Sequence, residues 1–246
     1  MKRAILNIIQ KFLIKSFNSR IVKNPPKGVS IDCYTTIQNL LKFYSPKNVC
    51  DVGAHDGVWS ATLTEYCKTI DSIAFIEPQQ KYIDILSALK FPNVKTTILK
   101  NGVSDKSDVM EIKGGNACAS FLEFDHTFDT VFTGKLDETS EHVQVETLDT
   151  IYQKNNLIQP DLVKIDVQGL ELEVINGGQN IINNAKVLIV ELSTLPFYSG
   201  QKSLSSIFNK LEEMNFTLIE IGYVWREDYD QSKKILQFDG IFMKNL

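Results

Sequence analysis

Short apolar segments alternate with helical patterns along the chain from about residue 47. Five segments are nearly continuous in valine, isoleucine and leucine, as strands buried on both faces of a sheet are: NVCDV, SIAFIE, VKTTIL, LVKID and VLIVEL. Three intervals between them have apolar residues at helical spacing, from Trp59 to Lys68, from Gln79 to Lys90 and from Leu170 to Asn183. This alternation predicts βαβ units, and therefore an α/β fold whose parallel sheet is covered by helices on both faces.

The C-terminal part of the chain has a different order of elements. A helical pattern over SLSSIFNKLEEMN is followed by two strand patterns, FTLIEIGYVW and ILQFDGIFMK, with the polar segment REDYDQSKK between them. Two strands joined directly by a loop pair antiparallel. The sheet is therefore predicted to end in a long hairpin with an antiparallel last strand.

The first 46 residues are predicted to form an N-terminal helical extension, and residues 47–246 to form one domain. In residues 1–20, apolar side chains recur at helical spacing and many of the other positions are basic. Such a helix either packs its apolar stripe on the protein's own core or lies on an anionic membrane surface. Both interpretations stay open.

One segment, at about residues 106–146, is too long for a minimal connection and is rich in glycine, aspartate and threonine. Long loops in compact domains are usually functional or mobile. We predict a substrate-side insertion here that selects the acceptor, with a disordered surface excursion as the alternative.

Composition narrows the possible partners. A net charge of -4 argues against binding to bulk nucleic acid, because such binding needs a basic surface. The four cysteines contain no CxxC pair, so they indicate neither a zinc site nor a disulfide framework. No apolar run reaches the roughly 18 residues that span a bilayer. A cytoplasmic protein is expected, and the alternative is a cytoplasmic protein that contacts the membrane surface through residues 1–20.

Candidate chemistry begins in VCDVGAHDG, where a glycine-rich turn joins a strand to a helix. Such a turn lets the backbone approach a ligand, and the helix start offers free N–H groups to the pyrophosphate of a dinucleotide or the carboxylate of a methionine. Alternatively, Gly53 and Gly57 only shape a tight turn. Glu77, which ends the next strand, is placed to accept hydrogen bonds from ribose hydroxyls. Together they favour a nucleoside site, in a dehydrogenase or in a methyltransferase.

A third polar group follows the strand LVKID. Asp166 and Gln168 stand at its carboxyl end, where open α/β sheets bind ligands. Gly169 permits a sharp exit of the chain, and Glu171 falls in the first helical turn, where the helix dipole favours a carboxylate.

Five blocks of the chain together resemble the FkbM family of S-adenosylmethionine-dependent methyltransferases. They lie between about residues 47 and 193 and are VCDVGAHDG, FIEP, NGVSD, VETLDTI and LVKIDVQGLELEVINGG. The resemblance implies a class I methyltransferase fold, Rossmann-like, with seven mostly parallel strands and an antiparallel last strand. It also implies S-adenosylmethionine as the cofactor.

The resemblance assigns cofactor-binding roles to residues of three blocks. The first block would hold the methionine portion, Glu77 would bind the ribose, and the third block would flank the adenine. The residues so assigned are Asp51, Gly53, Ala54, His55, Gly57, Glu77, Val103, Ser104 and Asp105. Two positions depart from the common patterns: His55 stands where the broader motif often has glycine, and Gln168 replaces the glutamate of Asp-Val-Glu-Gly. Position 168 therefore lacks the carboxylate of a base or metal ligand.

Methyl transfer to a hydroxyl requires a base. A positioned base typically contributes about 10²–10⁴-fold to such a reaction. The candidates are Asp166 first, then His126 in the insertion, then Glu191 after VLIVEL. A Mg²⁺ ion held by Asp166, Glu171 and Glu191 is the alternative, and it is disfavoured because Gln168 removes one charge. Among the aromatic residues, Trp225 and Tyr229 either stack on a sugar or base or lie exposed.

These observations predict an O-methyltransferase that acts on a hydroxyl of a saccharide, glycan or secondary metabolite. A second hypothesis is a noncatalytic S-adenosyl-binding scaffold in a membrane-associated glycan-assembly complex. A nicotinamide-dependent dehydrogenase is disfavoured because the turn at His55 lacks the GxGxxG pattern.

Overall fold

The computed structural model describes residues 31–115, 117–131, 139–226 and 234–245. Within these ranges it contains ten strands: β1 (Asn48–Val52), β2 (Ser72–Glu77), β3 (Lys95–Lys100), β4 (Gly102–Val103), β5 (Asp108–Lys113), β6 (Ser140–Glu146), β7 (Leu162–Ile165), β8 (Val187–Ser193), β9 (Phe216–Arg226) and β10 (Ile235–Lys244). It also contains eight helices: α1 (Ile31–Leu40), α2 (Val58–Tyr66), α3 (Gln80–Ala88), α4 (His126–Val131), α5 (Leu148–Lys154), α6 (Glu171–Gly177), α7 (Gln179–Asn183) and α8 (Leu204–Glu213).

Seven of the strands form the central sheet, in the order β3-β2-β1-β7-β8-β10-β9. β1 pairs parallel with both β2 and β7, and β3 and β8 extend the parallel part on either side. β10 pairs antiparallel with both β8 and β9. The predicted α/β fold, the C-terminal hairpin and the antiparallel last strand are therefore confirmed.

Two hydrophobic cores lie on opposite faces of this sheet because successive side chains of a strand point to opposite sides. In β7, Val163 and Ile165 join a core with Val174 of α6 and Leu211 of α8. Leu162 faces the other core, which contains side chains of α1, α2 and α3. The central strands are thus apolar at nearly every position because both faces are covered.

Two predicted elements differ from the structure. The segment VKTTIL was predicted to be a buried strand, but β3 is an edge strand whose residues are exposed or half-buried. Its strand propensity shows in the sequence, whereas its place at the edge depends on the order of pairing. The helix predicted from Leu170 to Asn183 is divided at Gly178 into α6 and α7. A side chain at Gly178 would contact Leu148 of α5 at 2.8 Å, so close packing requires glycine there.

The segment of residues 106–146 holds regular structure. β5 and β6 pair antiparallel, and together with β4 they form a second, three-stranded sheet in the order β4-β6-β5. Along the chain, α4 follows β5 and precedes β6. Residues 132–138, between α4 and β6, fall outside the described residues. The role of this segment in acceptor selection stays a prediction.

Helix α1 packs against the C-terminal hairpin, although it precedes the domain start predicted at residue 47. The hydroxyl of Thr36 donates a hydrogen bond to the carboxylate of Asp239 in β10 and accepts one of 3.0 Å from the N–H of Tyr223 in β9. A side chain at Gly222 would lie 2.9 Å from the Thr36 Cβ atom, so the helix approaches the strand closely. The amphipathic pattern over residues 1–20 lies outside the described residues.

None of the four cysteines, all of which are described, forms a disulfide. Across the four described ranges, none of the helices combines the length and hydrophobicity that a membrane crossing requires.

Candidate active site

A cavity of about 650 Å³ opens at the carboxyl ends of β1, β2, β7 and β8. After β1, the strands β2 and β3 are added on one side of β1, and β7 and β8 are added later on its other side. The direction in which strands are added therefore reverses between β1 and β7. Open α/β sheets bind ligands at this switch point, because the connections diverge there and leave a crevice. The lining residues come from both halves of the sheet, the insertion, α1 and the C-terminal hairpin.

The glycine-rich turn after β1 forms one wall of the cavity. Gly53 and Gly57 both have positive φ angles, of 77° and 75°. A Cβ atom at Gly53 would overlap the carbonyl oxygen of Asp166, and one at Gly57 would lie 2.7 Å from side-chain atoms of Leu86 and Leu89. Close packing against the backbone therefore requires glycine at position 53, whereas at position 57 the neighbours are leucine side-chain ends and the positive φ angle is what favours glycine. Gly53 also lines the cavity.

The N–H groups of this turn are largely used within the protein. Those of Gly53 and Ala54 donate to the carbonyl of Ile76, and that of His55 donates to Glu77 at 2.9 Å. The N–H groups of Gly57 and Val58 donate to residues 54 and 56. At the helix start, where free N–H groups were expected, that of Val58 is therefore already used within the protein.

Asp51 is fully buried behind the glycine-rich turn, on the side away from the cavity. One of its carboxylate oxygens accepts a hydrogen bond of 2.6 Å from Ser60 in α2, and the other lies 3.7 Å from the ammonium of Lys164. Burial raises the pKa of Asp51 and outweighs the attraction of Lys164. Because Asp51 is absent from the cavity lining, its geometry fits the positioning of Lys164 and α2 better than direct contact with a ligand.

Glu77 reaches the cavity at the end of β2. Its two oxygens accept N–H groups of Gln79 and His55, each at 2.9 Å, which fixes the orientation of the carboxylate. Burial raises the pKa of Glu77 to about 7, against the opposing effect of these two hydrogen bonds. Each oxygen keeps a further lone pair, so Glu77 is able to accept hydroxyl groups of a ligand.

His55 stacks on Tyr82 beside Glu77. The ring centroids are 3.8 Å apart, and burial lowers the pKa of His55, so the neutral imidazole is favoured. Its Nε2 atom is buried and has no hydrogen-bond partner among the described residues. His55 lines the cavity, as does Ala54.

The third predicted block divides at Val103. Asn101, Gly102 and Val103 line the cavity, whereas Ser104 and Asp105 do not. Ser104 is buried, and its carbonyl oxygen lies so close to Gly177 of α6 that a side chain at position 177 would overlap it.

The other end of the cavity carries carboxylates and amides from three strand ends. Asp166 lies 3.0 Å from the Lys164 ammonium and is hydrogen-bonded at 2.8 Å to the side chain of Gln168. Glu191 accepts side-chain N–H groups from Gln168 at 2.9 Å and from Gln237 at 3.1 Å. Burial, followed by repulsion from Asp166, raises the pKa of Glu191 well above its usual range. Of these two carboxyl groups, Asp166 has the nearer cation and is the stronger candidate for the base.

The ammonium of Lys164 lies between the carboxyl groups of Asp51 and Asp166. Burial is the largest single effect and opposes its charged form, but the attraction of Asp166, Asp51 and Asp239 and the hydrogen bond to Asp166 together outweigh it, and the pKa of Lys164 is raised. In the sequence, Lys164 is a charged residue within an otherwise apolar strand. A buried cation in such a strand needs a carboxylate partner nearby, and this was the signal available in LVKID.

The structure does not bring His126 to the cavity. It lies on α4 with 87% of its side chain exposed, and its ring is hydrogen-bonded at 3.3 Å to the neighbouring Asp125. Trp225 does line the cavity, at the end of β9. Tyr229 lies outside the described residues.

Glu171 does not line the cavity either. Its carboxylate accepts the N–H of Gly169 at 3.0 Å at the start of α6, and burial raises its pKa to about 7. The three carboxyl groups of the disfavoured Mg²⁺ alternative, Asp166, Glu171 and Glu191, thus do not converge on one point of the cavity. In the part of the chain that the structure describes, no group of three acidic, histidine or cysteine side chains is arranged to hold a metal ion.

The strand order and the cavity at its switch point define a class I methyltransferase fold. A solved FkbM methyltransferase from Methylobacillus flagellatus KT superposes with a TM-score of 0.51 at 18% identity, which covers 81% of this chain and 45% of that one. This chain thus spans less than half the length of that protein. The model of the FkbM methyltransferase domain matches residues 51–218, and the chain belongs to this family. A curated relative, the 2-O-methyltransferase NoeI of Sinorhizobium fredii, is 23% identical over 196 residues, or 74% of this chain and 77% of NoeI.

Proposed function

We propose that this protein transfers the methyl group of S-adenosylmethionine to a hydroxyl of a saccharide, glycan or secondary metabolite. The observation that carries this proposal is the position of Asp166, which stands in the cavity at the end of β7 beside the cation of Lys164. Across the cavity, Glu77 is oriented to accept ribose hydroxyls. The name of the relative NoeI supports oxygen as the methylated atom.

The residues of the chain divide the work between the two ends of the cavity. When bound, the cofactor supplies an electrophilic methyl group, and the protein has to align the acceptor oxygen with it. Such alignment contributes on the order of 7–11 kcal/mol to barrier reduction. Asp166 accepts the proton of the acceptor hydroxyl, and the ammonium of Lys164, 3.0 Å away, holds the Asp166 carboxylate in place. Trp225 lines the cavity, and we assign it to contact with a sugar ring of the acceptor.

Cofactor binding is tested by calorimetric titration with S-adenosylmethionine, S-adenosylhomocysteine and NAD. We expect saturable binding of the two S-adenosyl ligands, with loss of binding in Glu77→Ala. Glu65→Ala, which removes an exposed carboxylate from α2, is the matched control and is expected to bind normally. Preference for NAD, or no S-adenosyl binding, would contradict the proposal. Binding without methyl transfer to any acceptor in a screen with labelled methyl groups would favour the noncatalytic scaffold.

Binding of S-adenosylhomocysteine is expected to strengthen with pH because of Glu77. Its pKa of about 7 in the free protein means that it is largely protonated at pH 6, whereas ribose hydroxyls favour the ionised form. Affinity should therefore rise about tenfold between pH 6 and pH 8, with release of a proton on binding. Conversely, the raised pKa means that the stability of the ligand-free fold falls as pH rises from the ordinary glutamate value through 7.

The measurement is calorimetry in two buffers with different ionisation enthalpies, which gives the number of protons released. Glu77→Gln is the control, since its amide cannot titrate. The amino group of the ligand titrates equally with both proteins, so only the difference between them reports on Glu77. Equal pH dependence in wild type and Glu77→Gln would show that Glu77 does not bind the ribose as an ionised group.

A further inference from the structure

Gln168 adopts a backbone conformation that side chains other than glycine rarely take. Its φ angle is 56°, and Gly169 follows with a φ angle of 107°. The carbonyl of Gln168 accepts a hydrogen bond of 2.6 Å from the hydroxyl of Ser120 in the insertion. Strained residues of this kind persist only when the surrounding structure holds them, and they cluster at functional sites. Here the turn directs the side chain into the cavity.

Two sets of neighbours fix the orientation of the Gln168 amide. Its oxygen accepts the hydroxyl of Tyr198 at 2.8 Å, and this hydroxyl also lies 3.0 Å from the carbonyl of Cys118. Tyr198 is 1% exposed, and burial raises its pKa, so it remains a hydroxyl donor. On the other side the amide faces carboxyl groups of Asp166 and Glu191, which call for a donor rather than a second oxygen.

One nitrogen therefore serves two carboxyl groups. Nε2 of Gln168 lies 2.8 Å from an oxygen of Asp166 and 2.9 Å from an oxygen of Glu191, and its two N–H bonds match these two acceptors. The other oxygen of Asp166 is held by Lys164 at 3.0 Å. Paired carboxylates in proteins often share a divalent cation, and here an amide nitrogen occupies the point from which both oxygens are reached.

We propose that Gln168 is a positioning residue. Its amide nitrogen takes the place of a divalent cation between paired carboxylates and holds Asp166 and Glu191 together by one hydrogen bond to each. It fixes the direction of the Asp166 carboxylate toward the acceptor without adding charge to the site. This inference rests on the proposed function for the role of Asp166. The geometric part, that the amide nitrogen stands at a cation position, is testable without any acceptor.

The test is a titration of the full chain with Mn²⁺ alone, followed by the electron paramagnetic resonance signal of the free ion. Wild type is expected to bind no Mn²⁺ in the cavity. Gln168→Glu, which has the same shape and offers a third carboxylate, is expected to bind one Mn²⁺, and the double variant Gln168→Glu with Asp166→Asn to lose it. A wild type whose bound Mn²⁺ is lost in Asp166→Asn, or a folded Gln168→Glu that binds none, would overturn the proposal.

Turnover gives a second readout once an acceptor is identified. Gln168→Met keeps the size and the backbone constraint but has no donor, and we expect kcat to fall at least tenfold with the KM of the cofactor unchanged. In EDTA, Gln168→Glu should be similarly impaired and should recover with Mn²⁺, while wild type is insensitive to EDTA. Full activity of Gln168→Glu in EDTA would overturn the positioning role. Absence of methyl transfer in wild type would instead contradict the proposed function and leave the Mn²⁺ result standing.

Discussion

Asp166→Asn is expected to lower kcat for methyl transfer to a hydroxyl acceptor by about 10²–10⁴-fold, the usual contribution of a positioned base. Asparagine has nearly the same shape and still offers an oxygen to the amide of Gln168, but it cannot take a proton from the acceptor. The cofactor should bind to this variant almost as well as to wild type, since asparagine keeps the shape of the side chain and Glu77 is unchanged. The measurement combines single-turnover kinetics with calorimetric titration of S-adenosylhomocysteine.

Glu191→Gln is the matched control for this prediction. Burial and repulsion from Asp166 raise the pKa of Glu191, and glutamine keeps its shape and an acceptor oxygen, so we expect a much smaller loss of kcat. Asp166 is also a partner of the buried Lys164, so the stability of Asp166→Asn has to be measured by urea unfolding. If Asp166→Asn kept the kcat of wild type, or if Glu191→Gln lost more kcat than Asp166→Asn, Asp166 would not be the base.

Gly53→Ala is expected to destabilise the fold by more than about 4 kcal/mol, or to prevent the recovery of folded protein. Two costs add at this position. The φ angle of 77° is unfavourable for alanine, and the new Cβ would overlap the Asp166 carbonyl oxygen and lie 2.8 Å from its carbonyl carbon. Both groups are backbone, so no side-chain rotation relieves the contact. Urea unfolding followed by circular dichroism measures the effect.

Gly200→Ala separates the two costs. Gly200 has a φ angle of 85°, but a Cβ atom there would have nothing within 4 Å. Its replacement should cost only about 1–2 kcal/mol, the penalty for a left-handed conformation. If Gly53→Ala were no more destabilising than Gly200→Ala, the close approach of the β1 turn to the end of β7 would be wrong.

The sequence predicts the fold well because its main features are local patterns. Runs such as LVKID and VLIVEL are apolar at nearly every position, and this pattern identifies strands covered on both faces. The last two strands follow each other through one polar loop, so their antiparallel pairing is also visible. The edge position of β3 was not predicted, because it depends on which strands pair across the sheet.

The sequence also indicates the place of the site, since Gly53, Glu77 and Asp166 each follow a strand and parallel strands end at one edge of the sheet. It does not show how the polar groups divide between structure and chemistry. Asp51 belongs to a motif associated with ligands, yet it is buried behind the cavity wall with Ser60 and Lys164.

Only the tertiary structure relates residues that lie far apart in the chain. Gln168 lacks a carboxylate and, on the sequence alone, offers neither a base nor a metal ligand. In the fold its amide joins Asp166, Glu191 and Tyr198, which come from different strand ends and loops. Hydrophobic periodicity is set by near neighbours and can be read along the chain. Hydrogen-bond partners are set by the packing of distant elements, and their geometry is fixed only when the sheet and the insertion come together.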